Sequence, residues 1–143
     1  MEEDCVSIST AKLAKEKGFN EHCKYIYKKQ KGSKIYILTY SVIRIKNSEL
    51  IRRNKPMCAP TYDLLAKWLR DKKHLLITIF SKSQESWQFH ITRPGQGLED
   101  TRLYKDFSSY DEALRYAIQE CLEKFIKIVD ETIEETESKM EKI

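Results

Sequence analysis

The residues with the clearest chemical potential lie in a basic and aromatic stretch between His22 and Ser48. This stretch contains no acidic residue. Lysine ammonium groups neutralise phosphates, and aromatic side chains stack on nucleobases. The pattern is therefore typical of a site for single-stranded nucleic acid or for a phosphate-rich small ligand such as a nucleotide. The candidate ligand-binding residues are Lys24, Lys28, Lys29, Lys31, Lys34, Arg44, Tyr27 and Tyr36.

An ordinary solvated sheet edge would account for the same residues. Lysines along an edge strand prevent sheets from pairing with one another, and tyrosines can fill a core. Two predicted strands, residues 23–29 and 34–46, would form a hairpin with a two-residue loop. One face would then carry Tyr25, Tyr27, Tyr36, Leu38, Tyr40 and Val42, and the other Ile26, Ile35, Ile37, Ile43 and Ile45. The sequence leaves open whether the four tyrosines are core or exposed.

A second candidate surface is an apolar stripe near the end of the sequence. From Leu122 to Ile143, apolar residues recur at alternating spacings of four and three, with Thr136 among them. This spacing is typical of a coiled coil. We expect the stripe to bind a second copy or a partner protein, and its acidic flanks favour a partner that supplies Lys or Arg. The alternative is a solvated extension of the helix. The candidate partner-binding residues are Ile126, Val129, Ile133 and Met140.

Motifs for catalysis and metal binding are lacking. The cysteines Cys5, Cys23, Cys58 and Cys121 form no CxxC pair, which leaves a structural zinc site without support. No G-x-S-x-G motif accompanies the three histidines. The loop at residues 94–97 lacks the lysine and the following helix of a phosphate loop. We therefore predict that the protein is not an enzyme and holds no catalytic residue, metal or cofactor.

Helices are predicted in three places. The first covers residues 10–17, with Ser7 or Ser9 as its cap and Gly18 in the left-handed position that ends it. The second begins after Pro60 and ends near residues 71–73. In the third, Ser109 and Glu112 match a capping box, and a broad apolar stripe follows.

Strands are predicted between these helices. In residues 75–80, odd- and even-numbered positions are both apolar, which predicts a strand covered on both faces. In residues 87–92, Trp87, Phe89 and Ile91 alternate with polar residues, which predicts a half-buried strand. Residues 103–107 can add a short strand. The predicted fold class is α+β, an antiparallel sheet with helices packed on it in the order α-β-β-α-β-β-(β)-α and with a long C-terminal helix.

Length, composition and charge limit the possible classes of protein. The chain has 143 residues, of which 41% are hydrophobic, which predicts one α+β domain over residues 1–128 and a helical extension over residues 129–143. The net charge of +4 combines +7 in residues 1–60 with −5 in residues 108–143. This asymmetry fits either a partner that is attracted to one charged region or two regions of opposite charge that attract each other within the fold. The acidic opening residues and the short apolar runs predict a cytoplasmic protein with no secretory signal and no membrane partner.

Three segments carry a resemblance to a known group of proteins. Residues 59–72 match an "APT-x-x-LL-x-x-WLR" pattern, residues 107–114 match "F-x-x-Y-E-x-AL" with Asp111 in place of Glu, and residues 7–19 match the opening segment. The chain thereby resembles small proteins encoded by phages and mobile elements of gut Bacteroidetes. The resemblance covers most of residues 7–128 and implies a bacterial intracellular setting, but no site. We expect a non-enzymatic accessory protein, most simply a protein-interaction module, with nucleic-acid or nucleotide binding as the alternative.

Overall fold

The computed structural model describes residues 4–50, 55–93, 98–99 and 106–126. These residues form an α+β protein with antiparallel strands, which confirms the predicted fold class. The elements are α1 (Ile8–Glu16), β1 (Cys23–Lys29), β2 (Tyr36–Ile45), β3 (Met57–Cys58), α2 (Tyr62–Lys72), β4 (Leu76–Ser83), β5 (Ser86–Arg93), β6 (Leu98–Glu99) and α3 (Tyr110–Glu120). No helix among these residues is long and apolar enough to cross a membrane.

The chain divides into two compact units, residues 1–68 and residues 69–143, with the boundary inside α2. Instead of the one antiparallel sheet that we predicted, the strands form two three-stranded sheets, ordered β2-β1-β3 and β4-β5-β6. Periodicity reveals which residues are extended but not which distant strands pair, so the separation into two sheets was not visible in the sequence. The prediction of one domain over residues 1–128 stays untested.

Helix α1 begins and ends where its capping residues predict. The Ser7 hydroxyl accepts a hydrogen bond from the backbone N–H of Thr10 at 3.3 Å, and Gly18 follows the helix with φ +93°. The chain then folds back, because the N–H of Phe19 donates to the carbonyl of Ala14 at 2.9 Å. Phe19 is buried and packs edge-on against Trp68 of α2, with ring centres 5.3 Å apart.

Over most of the hairpin in the first sheet, the side chains lie on the faces that we predicted. Tyr25 pairs with Tyr40, and Tyr27 pairs with Leu38, so these residues share one face. The connection is longer than the predicted two-residue loop, because β1 ends at Lys29 and β2 begins at Tyr36. It contains a turn in which the N–H of Ser33 donates to the carbonyl of Gln30. On its other side, β1 pairs with the short strand β3, which we did not predict.

A β-bulge interrupts the second half of β2. Two steps along β1, from Cys23 to Tyr25, correspond to five steps along β2, from Ile45 back to Tyr40. The extra residues break the alternation of faces. Ile45 therefore pairs with Cys23, an odd position of β1, although its predicted face was the one opposite the odd positions. Val42 and Ile43 lie within the irregular segment, and both side chains are exposed.

The second sheet differs from its prediction at β4. This strand lies at the edge of the sheet, and Leu76 is exposed, so β4 is not covered on both faces. Strand β5 follows the predicted alternation at Phe89, His90 and Ile91, which are buried, exposed and buried in turn. Most of the predicted strand at residues 103–107 lies outside the described residues, while Phe107 forms a bridge with Trp87.

Helix α3 begins at its predicted cap. The Ser109 hydroxyl accepts from the N–H of Glu112 at 3.1 Å, and the Glu112 carboxylate accepts from the Ser108 hydroxyl at 2.6 Å. A π-helical turn, Cys121–Phe125, follows α3. The predicted apolar stripe is buried and includes Ala113, Leu114, Ala117, Ile118, Cys121, Leu122 and Phe125.

Candidate functional site

A cavity of about 850 Å³ lies in the first unit, where α1, the β1–β2 hairpin and the segment leading into β3 meet. Among the described residues, its walls carry four lysines, Lys12, Lys15, Lys29 and Lys55, and one acidic residue, Glu16. Small-molecule sites typically measure about 300 to 1,000 Å³. The cavity therefore has the size of a small-ligand site and an excess of positive charge.

Helix α1 supplies the first wall. Ala11 and Ala14 are buried, and Lys12 and Lys15, each the next residue along the helix, flank this buried side and line the cavity. The Lys15 Nζ donates to the carbonyl oxygen of Pro56 at 3.1 Å, which fixes the ammonium at the wall. An ammonium has three donors, so this bond leaves capacity for an anion.

The hairpin supplies the second wall. Lys29 and Tyr36 are cross-strand partners, and the Lys29 Nζ lies 5.0 Å from the centre of the Tyr36 ring. This is a cation–π contact. The Tyr36 hydroxyl donates to the carbonyl of Lys55 at 3.3 Å. The contacts of Tyr36 thus join the hairpin to the segment before β3.

A 3₁₀ turn at Asn47–Glu49 supplies the remaining polar wall. The Asn47 amide group donates to the carbonyl of Phe19 and accepts from the N–H of Cys58, each at 2.8 Å. These two hydrogen bonds connect the cavity wall to the backbone of two buried residues. Lys55 has φ +45°, a left-handed conformation that is uncommon for a residue with a side chain. Such strain persists only where neighbouring contacts hold it.

Two of the eight predicted ligand-binding residues line this cavity, Lys29 and Tyr36. Lys24 and Arg44 line a smaller hollow of about 230 Å³, beside His22 and Tyr25. Tyr27 lies in the core instead. The remaining three, Lys28, Lys31 and Lys34, are exposed and do not line the cavity.

The four tyrosines of the hairpin divide between core and surface. Tyr27 is buried, and its hydroxyl donates to the carbonyl of Val6 at 2.7 Å. Tyr40 is exposed and packs edge-on against the half-buried Tyr25, with ring centres 5.5 Å apart. Tyr36 is half-buried at the cavity. The hairpin is therefore not a uniform aromatic platform.

Sequence reasoning missed Lys12, Lys15 and Lys55 as site residues. The signal available was the polar side of α1, where Lys12 and Lys15 stand three residues apart and so share a face. Nothing in the sequence indicated that this face lies beside the hairpin. Lys55 adjoins residues 51–54, which lie outside the described residues.

Of the four predicted partner-binding residues, the described part of the chain includes Ile126 alone, which is fully buried. Val129, Ile133 and Met140 lie outside the described residues. Partner binding through this stripe therefore stays a prediction.

The histidines do not assemble a catalytic group among the described residues. His22 Nε2 lies 3.8 Å from a carboxylate oxygen of Glu49, and both side chains are about half exposed. His90 is exposed and stacks on Phe80 with ring centres 4.9 Å apart. Within the described ranges, no group of three or more His, Cys, Asp or Glu side chains is arranged to hold a metal ion.

Three cysteines are buried as free thiols, Cys23 and Cys58 in the first unit and Cys121 in the second. The Cys58 thiol donates to the carbonyl of Ile45 at 3.3 Å. A hydrogen bond with Cys58, together with burial, raises the pKa of Cys23. This thiol is therefore neutral at physiological pH, as a packing residue should be.

No protein-family model, no curated protein and no solved structure matches the chain. The resemblance to proteins of phages and mobile elements stays a prediction.

Proposed function

We propose that the protein is a binding protein for a small phosphate-bearing ligand, such as a nucleotide, and that the cavity of the first unit is the binding site. The observation that carries this proposal is the set of four lysines around a cavity of about 850 Å³, with a single glutamate among the wall residues that the structure describes. Such an excess of positive charge attracts anions, and a concave site shields the interaction from water.

The arrangement suits a nucleotide because it combines cations with an aromatic ring. Lys12 and Lys15 stand on α1, and Lys55 stands in the segment before β3. Phosphate oxygens between these walls would accept from more than one ammonium. Tyr36 is the aromatic residue at the wall, and it could support a base by stacking.

A cavity explains a small ligand better than it explains an extended nucleic acid. The exposed lysines Lys28, Lys31 and Lys34 are outside the cavity, and Tyr27 is buried. Tyr27 is therefore not available to stack on a base, and these three lysines do not join the cavity. A nucleotide-sized ligand needs the cavity alone.

The experiment compares two double variants that remove the same charge. Lys12→Gln with Lys55→Gln removes two cavity lysines, and Lys28→Gln with Lys34→Gln removes two exposed lysines of the hairpin. The probes are AMP, ATP and inorganic pyrophosphate, measured by isothermal titration calorimetry. We expect the cavity variant to lose about tenfold or more in ATP affinity, and the control variant to lose much less.

Salt dependence provides the second readout. Affinity for ATP should fall between about 50 mM and about 200 mM salt, because the attraction is electrostatic. Equal losses in the two double variants would contradict the cavity as the site. Binding of a single-stranded oligonucleotide in preference to ATP, with no effect of the cavity variant, would instead support the nucleic-acid alternative.

A further inference from the structure

Strand β2 is an edge of its sheet. In the order β2-β1-β3, β1 occupies the middle, and no strand among the described residues pairs with the other side of β2. The strand is 10 residues long. An edge of this length presents a row of backbone N–H and C=O groups that can pair with another extended chain.

The side chains of this edge are apolar and exposed. Val42 is 90% exposed, Ile43 78% and Tyr40 60%. Ile35 and Ile37 are exposed as well, and we call these five residues the β2 edge surface. Solvent-exposed edges more often carry charges that discourage pairing. Large exposed apolar side chains along a sheet edge are therefore unusual for a solvated edge and are typical of an interaction surface.

The bulge shapes this surface. Val42 and Ile43 lie in the segment where β2 has more residues than β1, and the Ser41 hydroxyl donates to the carbonyl of Ile43 within that segment. Both side chains are exposed, and a bulge at this point gives β2 more residues than the strand beside it. Bulges are over-represented at sheet edges and beside functional sites.

The charge around the β2 edge surface identifies the kind of partner. Residues 22–48 contain no acidic side chain, and Lys28, Lys34 and Arg44 are exposed. A second copy of the same edge would bring like charges together. A strand that carries Asp or Glu would be attracted, and its apolar residues would cover the exposed aliphatic side chains.

We propose that β2 pairs with an extended segment of a partner protein in which apolar side chains alternate with Asp or Glu. The segment would add a fourth strand to the first sheet through main-chain hydrogen bonds. The β2 edge surface is independent of the proposed ligand, because none of its five residues lines the cavity. Failure of either proposal leaves the other standing.

The probe is a synthetic peptide of about ten residues, matching the length of β2, in which Val, Ile or Thr alternates with Glu. A second peptide has Lys in place of Glu, and a third is N-methylated at alternate residues, which removes donors from one edge. Binding to the full chain is measured by calorimetry and by hydrogen exchange of β2 amides. We expect the Glu peptide to bind about tenfold or more tightly than either control and to protect those amides.

Two matched variants test the side chains. Val42→Ser with Ile43→Ser should weaken the Glu peptide about tenfold, whereas Ile8→Ser with Leu76→Ser, exposed aliphatics elsewhere, should not. Equal binding of the N-methylated or the Lys peptide overturns the proposal, as does the absence of Glu-peptide binding. A dimer of the chain alone, detected by sedimentation and dissociated by the Val42→Ser/Ile43→Ser variant, would also overturn it in favour of self-association.

Discussion

Lys29 and Tyr36 face each other across the β1–β2 hairpin, with the ammonium of one 5.0 Å from the ring centre of the other. Both residues line the cavity. The pair places a cation and an aromatic face at one wall, and each can contact a different part of a nucleotide. The first prediction separates these two contributions.

Replacement Tyr36→Ala should weaken ATP binding more than pyrophosphate binding. Stacking of a base on an aromatic side chain contributes about 1–3 kcal/mol, and pyrophosphate has no base. We expect about a tenfold loss or more for ATP and a much smaller loss for pyrophosphate, measured by calorimetry. Tyr36→Phe serves as the control, because it keeps the ring and loses only the hydroxyl bond to Lys55. Equal losses for both ligands would show that the ring does not contact the base.

Replacement Tyr27→Phe should destabilise the protein although the ring is kept. The Tyr27 hydroxyl donates to the carbonyl of Val6 at 2.7 Å in the core. Leaving that buried acceptor without its donor costs about 1–3 kcal/mol in the free energy of unfolding, measured by urea denaturation. Tyr40→Phe is the matched control, because Tyr40 is exposed, and its effect should stay within about 0.5 kcal/mol. A larger effect at Tyr40 than at Tyr27 would refute the prediction that the buried Tyr27 hydroxyl stabilises the fold.

Stability should also fall at alkaline pH through Tyr27. Burial, followed by the nearby Cys5 and Tyr62, raises the pKa of Tyr27 above its ordinary value of 10.0. The folded state then holds this proton more tightly than the unfolded state. Its contribution is fully present below pH 10.0 and is lost as the pH rises through the folded pKa. Urea denaturation from neutral to alkaline pH should show a shallower decline in Tyr27→Phe than in the parent chain.

Asp106 should titrate below its ordinary value of 3.8. Its pKa is lowered first by the hydrogen bond from the Gln88 amide, 2.5 Å long, and then by Ser86. The stabilising contribution is present above pH 3.8 and is lost as the pH falls through the folded pKa. An NMR titration of the Asp106 carboxyl group should show this depression. In Gln88→Met the pKa should return towards 3.8, and an unchanged pKa would indicate another cause.

Replacement His74→Gly should stabilise the protein. His74 follows α2 with φ +57°, a conformation that costs a residue with a side chain about 1 kcal/mol. The cap around it is complete, since the N–H groups of Lys73 and Leu75 both donate to the carbonyl of Leu69. We expect the free energy of unfolding to rise by about 0.5–1 kcal/mol in urea denaturation. His74→Ala should bring no gain, and a gain equal to that of glycine would argue against backbone strain.

The elements that depend on local chemistry were predictable from the sequence. Ser7 and Ser109 both cap helices as predicted, and Gly18 takes the left-handed position. The placement of Tyr25 and Tyr40 on one face of the hairpin was also predictable, because side chains alternate between the two faces of a strand. These features involve residues close to one another along the chain, or the two strands of one hairpin.

Features that depend on distant packing were not predictable. The three added residues of the bulge between Tyr40 and Ile45 change the position with which Ile45 pairs, and no residue type there signals them. Likewise, Lys15 belongs to the cavity because α1 lies beside Pro56, forty-one positions away along the chain. Lys15 and Lys55 are far apart in sequence and line one cavity only in the folded chain, so a search for clustered basic residues does not join them.

The distribution of the buried thiols gives each unit its own reporter of native-state opening. Cys23 and Cys58 belong to residues 1–68, and Cys121 belongs to residues 69–143. A sulfhydryl reagent reaches a buried cysteine only when the surrounding structure opens, so the alkylation rate at each position reflects the free energy of that opening. Mass spectrometry of pulse-alkylated protein can therefore reveal whether the two units open together or separately, without any substitution.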